Sequence, residues 1–230
     1  MNPADLDAIR TTALLAGVTV LILLAVATPL AWWLTRSDSR GARIVEAIVA
    51  LPLVLPPTVL GFYLLVLLGP AGAIGAAWVS LTGESLTFSF AGLVIASCVY
   101  SLPFAVQPLQ AAFESVGDKP LAAAYSLGAR PRDAFASVVL PLSRRGYVTA
   151  AVLTFAHTLG EFGVVLMVGG NIAGETRVLS IRIFEHVEML DYAAAHRLAA
   201  GLLVVAFAVL LIVYLANGRQ RLRLAGGGVR

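Results

Sequence analysis

Residues 114–145 read ESVGDKPLAAAYSLGARPRDAFASVVLPLSRR and form the longest polar interruption in an otherwise apolar chain. Five of the sixteen Lys and Arg residues fall here: Lys119, Arg130, Arg132, Arg144 and Arg145. The stretch also carries local order. Asp118 is placed to cap a helix N-terminus, with Pro120 in the first turn, where a missing N–H is harmless. Residues 121–127 are good helix formers, and Gly128 stands where a helix ends in a left-handed residue. Pro131 and Asp133 begin a second short helix, and Pro141 is expected to close it. Two short helices joined at a glycine corner predict a compact knob between apolar segments.

Composition sets the class of those segments. The chain has 230 residues, of which 59% are hydrophobic and only 13% charged. A soluble domain is nearer a quarter charged, and apolar stretches of about 20 residues read as membrane spans. The lone cysteine, Cys98, sits inside an apolar stretch, which excludes a disulfide framework. The sequence pI of about 9.4 is not a nucleic-acid signal, because the basic residues sort by membrane side.

Five spans are expected, over residues 11–34, 44–68, 89–112, 146–168 and 192–216, within a single transmembrane domain 1–230. Twelve of the sixteen basic residues lie at 36–43, in the loop 113–145 and in the tail beyond 216. The remaining four, Arg10, Arg177, Arg182 and Arg197, lie on the other side or at its border. The positive-inside rule then puts the N-terminus outside and the C-terminus in the cytoplasm. Part of the outer loop, 71–81, is expected as a short interfacial helix. Residues 169–191 have mixed helical character and leave open a partial return into the membrane.

Polar and helix-breaking residues at membrane depth point to a kinked helix lining a pathway, the alternative for the prolines being a merely irregular packed helix. The second span carries Pro52, Pro56 and Pro57, followed by Thr58. Each proline removes a backbone hydrogen bond, tolerable in a bilayer only where protein or a water-filled path covers the freed carbonyls. The fourth span holds Thr154, His157, Thr158, Glu161 and Gly163. Thr154, His157 and Glu161 recur on one helical face, and His157 and Glu161 are i, i+4 neighbours able to pair. Ionisable groups in a span are costly and face a cavity or a partner. A carboxylate makes a poor anion ligand, so a gate or a dimer seam suits the Glu161–His157 pair. The alternative is an internal bond that only fixes packing. No Walker GxxxxGK[ST], HExxH or other metal-ligand spacing occurs, so uphill transport needs energy from a partner.

The spacing Ala122-Ala123-Ala124, Gly128, Val138, Leu140-Pro141 resembles the cytoplasmic EAA loop of ABC importer permeases, whose pattern is Glu-Ala-Ala, three residues, Gly, nine residues, Ile, one residue, Leu-Pro. Here Ala122 stands where the family has Glu, so a role for that carboxylate does not carry over. The resemblance implies an all-α, MetI-like type I permease fold, with a loop that docks into an ATPase through Ala123, Ala124, Gly128, Ala129, Val138, Leu140 and Pro141. The stretches PLVLPPTVLGF, LGEFG and GGNIAGETRVL extend the likeness over nearly the whole chain. Within the family they are most similar to molybdate/tungstate permeases, with sulfate/thiosulfate permeases as close relatives.

The resemblance implies a permease subunit in the bacterial inner membrane, paired with a second copy of itself. Its further partners would be a cytoplasmic ATPase dimer that uses ATP and Mg²⁺ and a periplasmic oxyanion-binding protein, with no cofactor on this chain. Pro56, Pro57, Thr58, His157, Glu161 and Gly163 are the pathway or gate candidates. A secondary transporter of the same topology needs no ATPase, and an intramembrane enzyme would need more than His157 and Glu161.

Overall fold

The computed structural model describes residues 2–217, and within them the regular structure is helical. Asn2 opens the first helix, α1 (Pro3–Arg36), through a capping box: its side chain accepts from the Asp5 N–H at 2.8 Å, and Asp5 accepts from the Asn2 N–H at 3.0 Å. With Pro3 at the first helical position, this cap carries α1 well ahead of the expected start at residue 11. The chain continues through α2 (Arg40–Ala50), a 3₁₀ turn (Leu51–Leu53) and α3 (Pro57–Leu68). A short helix stands where one was expected, as α4 (Ala73–Thr82). Ser89 then caps the long α5 (Phe90–Val116), accepting from the Gly92 N–H at 3.1 Å.

Three described helices are long and apolar enough to cross a bilayer: α1, α5 and α12 (Tyr192–Asn217). Two further crossings arise if each bent pair is one span, which brings the total to the expected five. One pair is Arg40–Leu53 with Pro57–Leu68, bent by 113°. The other is α9 (Arg144–Leu159) with α10 (Gly163–Gly169), bent by 66°. The fourth span is therefore not the single helix expected over 146–168. The basic tail residues Arg219, Arg221, Arg223 and Arg230 lie outside the described residues.

Small residues let α1, α5 and α9 pack closely. Ala27, Ala31, Ala105 and Ala150 are fully buried there beside Val106 and Leu109. Leu64, Leu68, Val164 and Val168 make a second core that joins α3 to α10. α12 shows the opposite pattern, with Leu203, Val204, Phe207 and Tyr214 exposed. An apolar exterior of this kind suits a helix in lipid.

The knob comprises α6 (Asp118–Ser126), α7 (Pro131–Ala134), a π-helical turn (Phe135–Val139) and α8 (Leu140–Leu142). Gly128 has φ +83°, the left-handed corner expected. Its N–H reaches Tyr125 O at 2.9 Å and the Ala129 N–H reaches Ala124 O at 3.1 Å, the paired bonds of a Schellman motif. Two expectations are corrected. Asp118 is the first helical residue, after Gly117, and makes no capping bond; its carboxylate accepts from Arg36 Nη1 at 2.7 Å on the surface. Pro141 does not end the helix, which runs through it to Leu142. The π turn just before it, where the Leu140 N–H reaches back to Phe135 O, changes the bonding register ahead of the proline.

Aromatic rings seat the knob on the membrane helices. Trp32 meets Phe113 edge-on at 5.6 Å and Phe135 at 5.2 Å. The Arg36 guanidinium lies over Trp32 at 4.7 Å. Leu121, Ala134 and Val139 are buried beneath, while Leu127 is 89% exposed and Leu140 is also outward.

Candidate functional site

The two breaks meet. Pro57 compels its predecessor out of the α region, and Pro56 sits at φ −56°, ψ 135°. α3 therefore starts afresh, and Thr58, its second residue, has an N–H with no intrahelical acceptor. At the other break Gly160 leaves α9 and Phe162 takes φ −131°, ψ −63° before α10 begins at Gly163. A Cβ on Gly163 would stand 3.0 Å from the Pro57 Cβ, so glycine permits the two half-helix starts to touch.

Between them opens a cleft of about 580 Å³. α3 contributes Pro57 and Thr58, α5 contributes Tyr100, and α9 contributes Ala156 and His157. The break and the start of α10 add Gly160, Glu161, Phe162 and Gly163. Five of the six pathway candidates thus line one space; Pro56 does not line it and acts by setting the entry to α3.

Glu161 is only 3% exposed, yet it is well satisfied. Its Oε2 accepts from Ser97 Oγ at 2.6 Å and its Oε1 from Ser101 Oγ at 2.7 Å. These serines stand one turn apart on α5, so that helix presents two hydroxyls to one carboxylate. His157 Nδ1 lies 2.8 Å from Ser101 Oγ and 3.4 Å from Glu161 Oε1. Thr158 Oγ1 adds a 3.1 Å contact to Ser101. The main-chain oxygen of Glu161 accepts from Ser180 Oγ, tying the break to the segment after α10. The His157 ring stacks on Phe104 at 4.1 Å and meets Tyr100 at 4.6 Å.

The expected His157–Glu161 pairing is present, but across the end of α9 and not along a continuous helix. Thr154 does not join it: its hydroxyl is buried without a hydrogen-bond partner. Sequence reading named Thr158 among the polar groups of the fourth span but missed Ser97 and Ser101, because hydroxyls in an apolar run carry no sign of their partners.

It also missed a second polar cluster where α1 meets α11 (Leu179–Glu188). Arg182 Nε donates to Asp5 Oδ1 at 2.9 Å, and Arg182 Nη1 to Glu185 Oε2 at 2.9 Å. His186 Nε2 stands 3.1 Å from Asp5 Oδ1. Burial pushes the Glu185 carboxyl up, but hydrogen bonds from Asn171 and Arg182 and the charges of Arg177 and Arg182 outweigh it and hold it below its ordinary value. The cluster anchors the 169–191 segment to the start of α1, and the Leu179 N–H donates to Thr12 Oγ1 at 2.7 Å nearby.

The coupling candidates occupy one end of the molecule. Ala123, Gly128, Leu140 and Pro141 are exposed, Ala124, Ala129 and Val138 half-buried. Val139, next to the motif position, makes the fully buried contact.

Bent membrane helices, a cleft at their breaks and an exposed helical knob define a class, the importer permeases. Residues 23–222 match the model of the binding-protein-dependent transport system inner membrane component, and the chain belongs to that family. It is 58% identical over 214 residues to the molybdenum transport system permease protein ModB of Azotobacter vinelandii, covering 93% of this chain and 95% of that one. It is 32% identical over 225 residues to the sulfate transport system permease protein CysT of Escherichia coli (strain K12), covering 98% and 81%. In fold it is similar to the MetNI methionine ABC transporter in an inward-facing form, with TM-score 0.69 at 18% identity over 92% of this chain and 95% of that one.

Proposed function

We propose that this chain is the membrane-spanning subunit of a molybdate importer. The observation that carries the substrate is the 58% identity to a molybdenum permease over nearly the full length of both chains, against 32% to a sulfate permease. The cleft supports a pathway role, since it gathers the helix breaks and the polar groups of three segments. Deleting the gene should lower molybdoenzyme activity, with rescue by high external molybdate. A deletion strain that instead requires reduced sulfur makes the cargo sulfate.

Energy enters from a partner. The exposed Ala123, Leu127, Gly128 and Leu140 offer an ATPase subunit a surface of small and apolar groups beside a positive-φ corner. A second copy of the chain completes the route, since α2, α3 and the turn between them leave Ile44, Ile48, Val54, Phe62 and Tyr63 exposed. A periplasmic binding protein delivers the anion at the end carrying α4 and α11. The N-terminus then lies outside and the knob in the cytoplasm. In a Cys98→Ala background, cysteines at Ser37 and Ser126 should resist an impermeant thiol reagent added to intact cells. Labelling of Ser126→Cys from outside reverses the orientation.

A further inference from the structure

Hydrogen-bond bookkeeping around Ser101 fixes the proton on His157. A serine hydroxyl has one hydrogen to give, and both carboxyl oxygens of Glu161 accept from serine hydroxyls. Ser101 therefore donates to Glu161 Oε1 at 2.7 Å and meets His157 Nδ1, 2.8 Å away, with a lone pair. Nδ1 must carry the hydrogen. In the neutral ring, Nε2 is then a bare acceptor, and it has no partner among the described residues. The ring lines the cleft with its side chain 19% exposed.

A bare nitrogen repels an oxyanion, whereas a second proton turns Nε2 into a charged donor. No Lys or Arg lines the cleft, so His157 is the one side chain there able to become a cation. Thr58 adds a free N–H at the start of α3, a 12-residue helix whose dipole also favours an anion. We infer that His157 Nε2 is the proton-gated contact for the passing oxyanion, acting with the start of α3. Glu161 then holds the ring and does not touch cargo. This rests on the oxyanion-importer reading and separates the roles of two residues that the sequence assigns together to a gate or seam.

Few other groups compete for that proton. Glu161 and Tyr100 are the titratable neighbours, and Cys98 lies on the same stretch of α5. The α3 residues lining the cleft are Pro57 and Thr58. α1 carries no charge between Arg10 and Arg36. α12 meets α9 at Phe155 and Leu159, where its nearest charged group is Arg197.

The test uses the permease reconstituted in proteoliposomes with its ATPase and binding protein, measuring molybdate moved per ATP hydrolysed from about pH 6 to about pH 8, the range in which histidine titrates. The wild-type ratio should fall about tenfold as pH rises, the size of one charge-assisted hydrogen bond. His157→Gln should be low and flat, with co-purification of the ATPase confirming assembly. Ser101→Ala frees the neutral ring to carry its proton on Nε2, so transport at high pH should recover relative to low pH. A flat wild-type profile, or the wild-type slope persisting in His157→Gln, overturns the contact alone. A wild-type complex that moves neither molybdate nor sulfate at any pH overturns the importer reading, and the contact with it.

Discussion

α5 and the segment joining α2 to α3 are both rich in proline and behave oppositely. α5 runs 27 residues through Pro103 and Pro108 without a break. The chain at residues 54–57 turns through 113°. In α5 the prolines stand five residues apart, and each removes one N–H while its predecessor stays helical. Pro56 and Pro57 are adjacent, so two successive N–H groups are lost at once, and Pro56 takes an extended conformation that ends the helix. The break at residues 160–162 contains no proline at all. There the partners are tertiary: Ser97 and Ser101 from α5 and Ser180 from the following segment hold Glu161 out of the helix. Helices here bend either where adjacent prolines remove successive N–H groups or where a distant helix offers better bonds.

The sharpest way to break this comparison is Glu161→Ala. It leaves the Ser97 hydroxyl buried without its acceptor, at about 1–3 kcal/mol, and takes from Ser101 its carboxylate while leaving the contacts to His157 and Thr158. Transport should be lost and the detergent-solubilised protein should melt earlier. Glu161→Gln keeps the size and most of the bonds and should fall between. Wild-type transport by the alanine variant would show that the second break is not held by tertiary bonds.

Gly128→Val tests a third kind of corner, set by backbone sign alone. A Cβ there meets nothing within 4 Å, so the cost of about 1–2 kcal/mol is conformational. The membrane helices are remote from this corner and should stay intact, while co-purification of the ATPase and transport should fail. Gly128→Ala should be milder. A valine variant that retains both would remove Gly128 from the coupling role.

The smallest effect is expected at Pro103→Ala, which restores one helical N–H in a helix already unbroken and should stay within about 1 kcal/mol. Pro57→Ala relieves Pro56 of its extended conformation and should reduce transport far more. Equal transport by the two variants would mean that the first break is held by packing and not by the proline pair.

The spans, the knob and its glycine corner were legible because they depend on residues close in sequence. Hydropathy over about 20 residues needs no partner, and the Gly128 corner follows from seven helix formers, a glycine and a proline. The proline break was legible as an irregularity, though not as a 113° turn. The second break was not, since Gly160 and Gly163 alone do not oblige a helix to stop.

The membrane class and the choice of Pro57, Thr58, His157, Glu161 and Gly163 as candidates thus came from sequence alone. That these candidates line one cleft was decided by tertiary structure, through the touching starts of α3 and α10. So was the holding of Glu161 by serines 60 and 64 positions away, and of Asp5 by Arg182 across 177. In an apolar interior a polar group must find a partner, but which one depends on the helices brought beside it, and that information is not local.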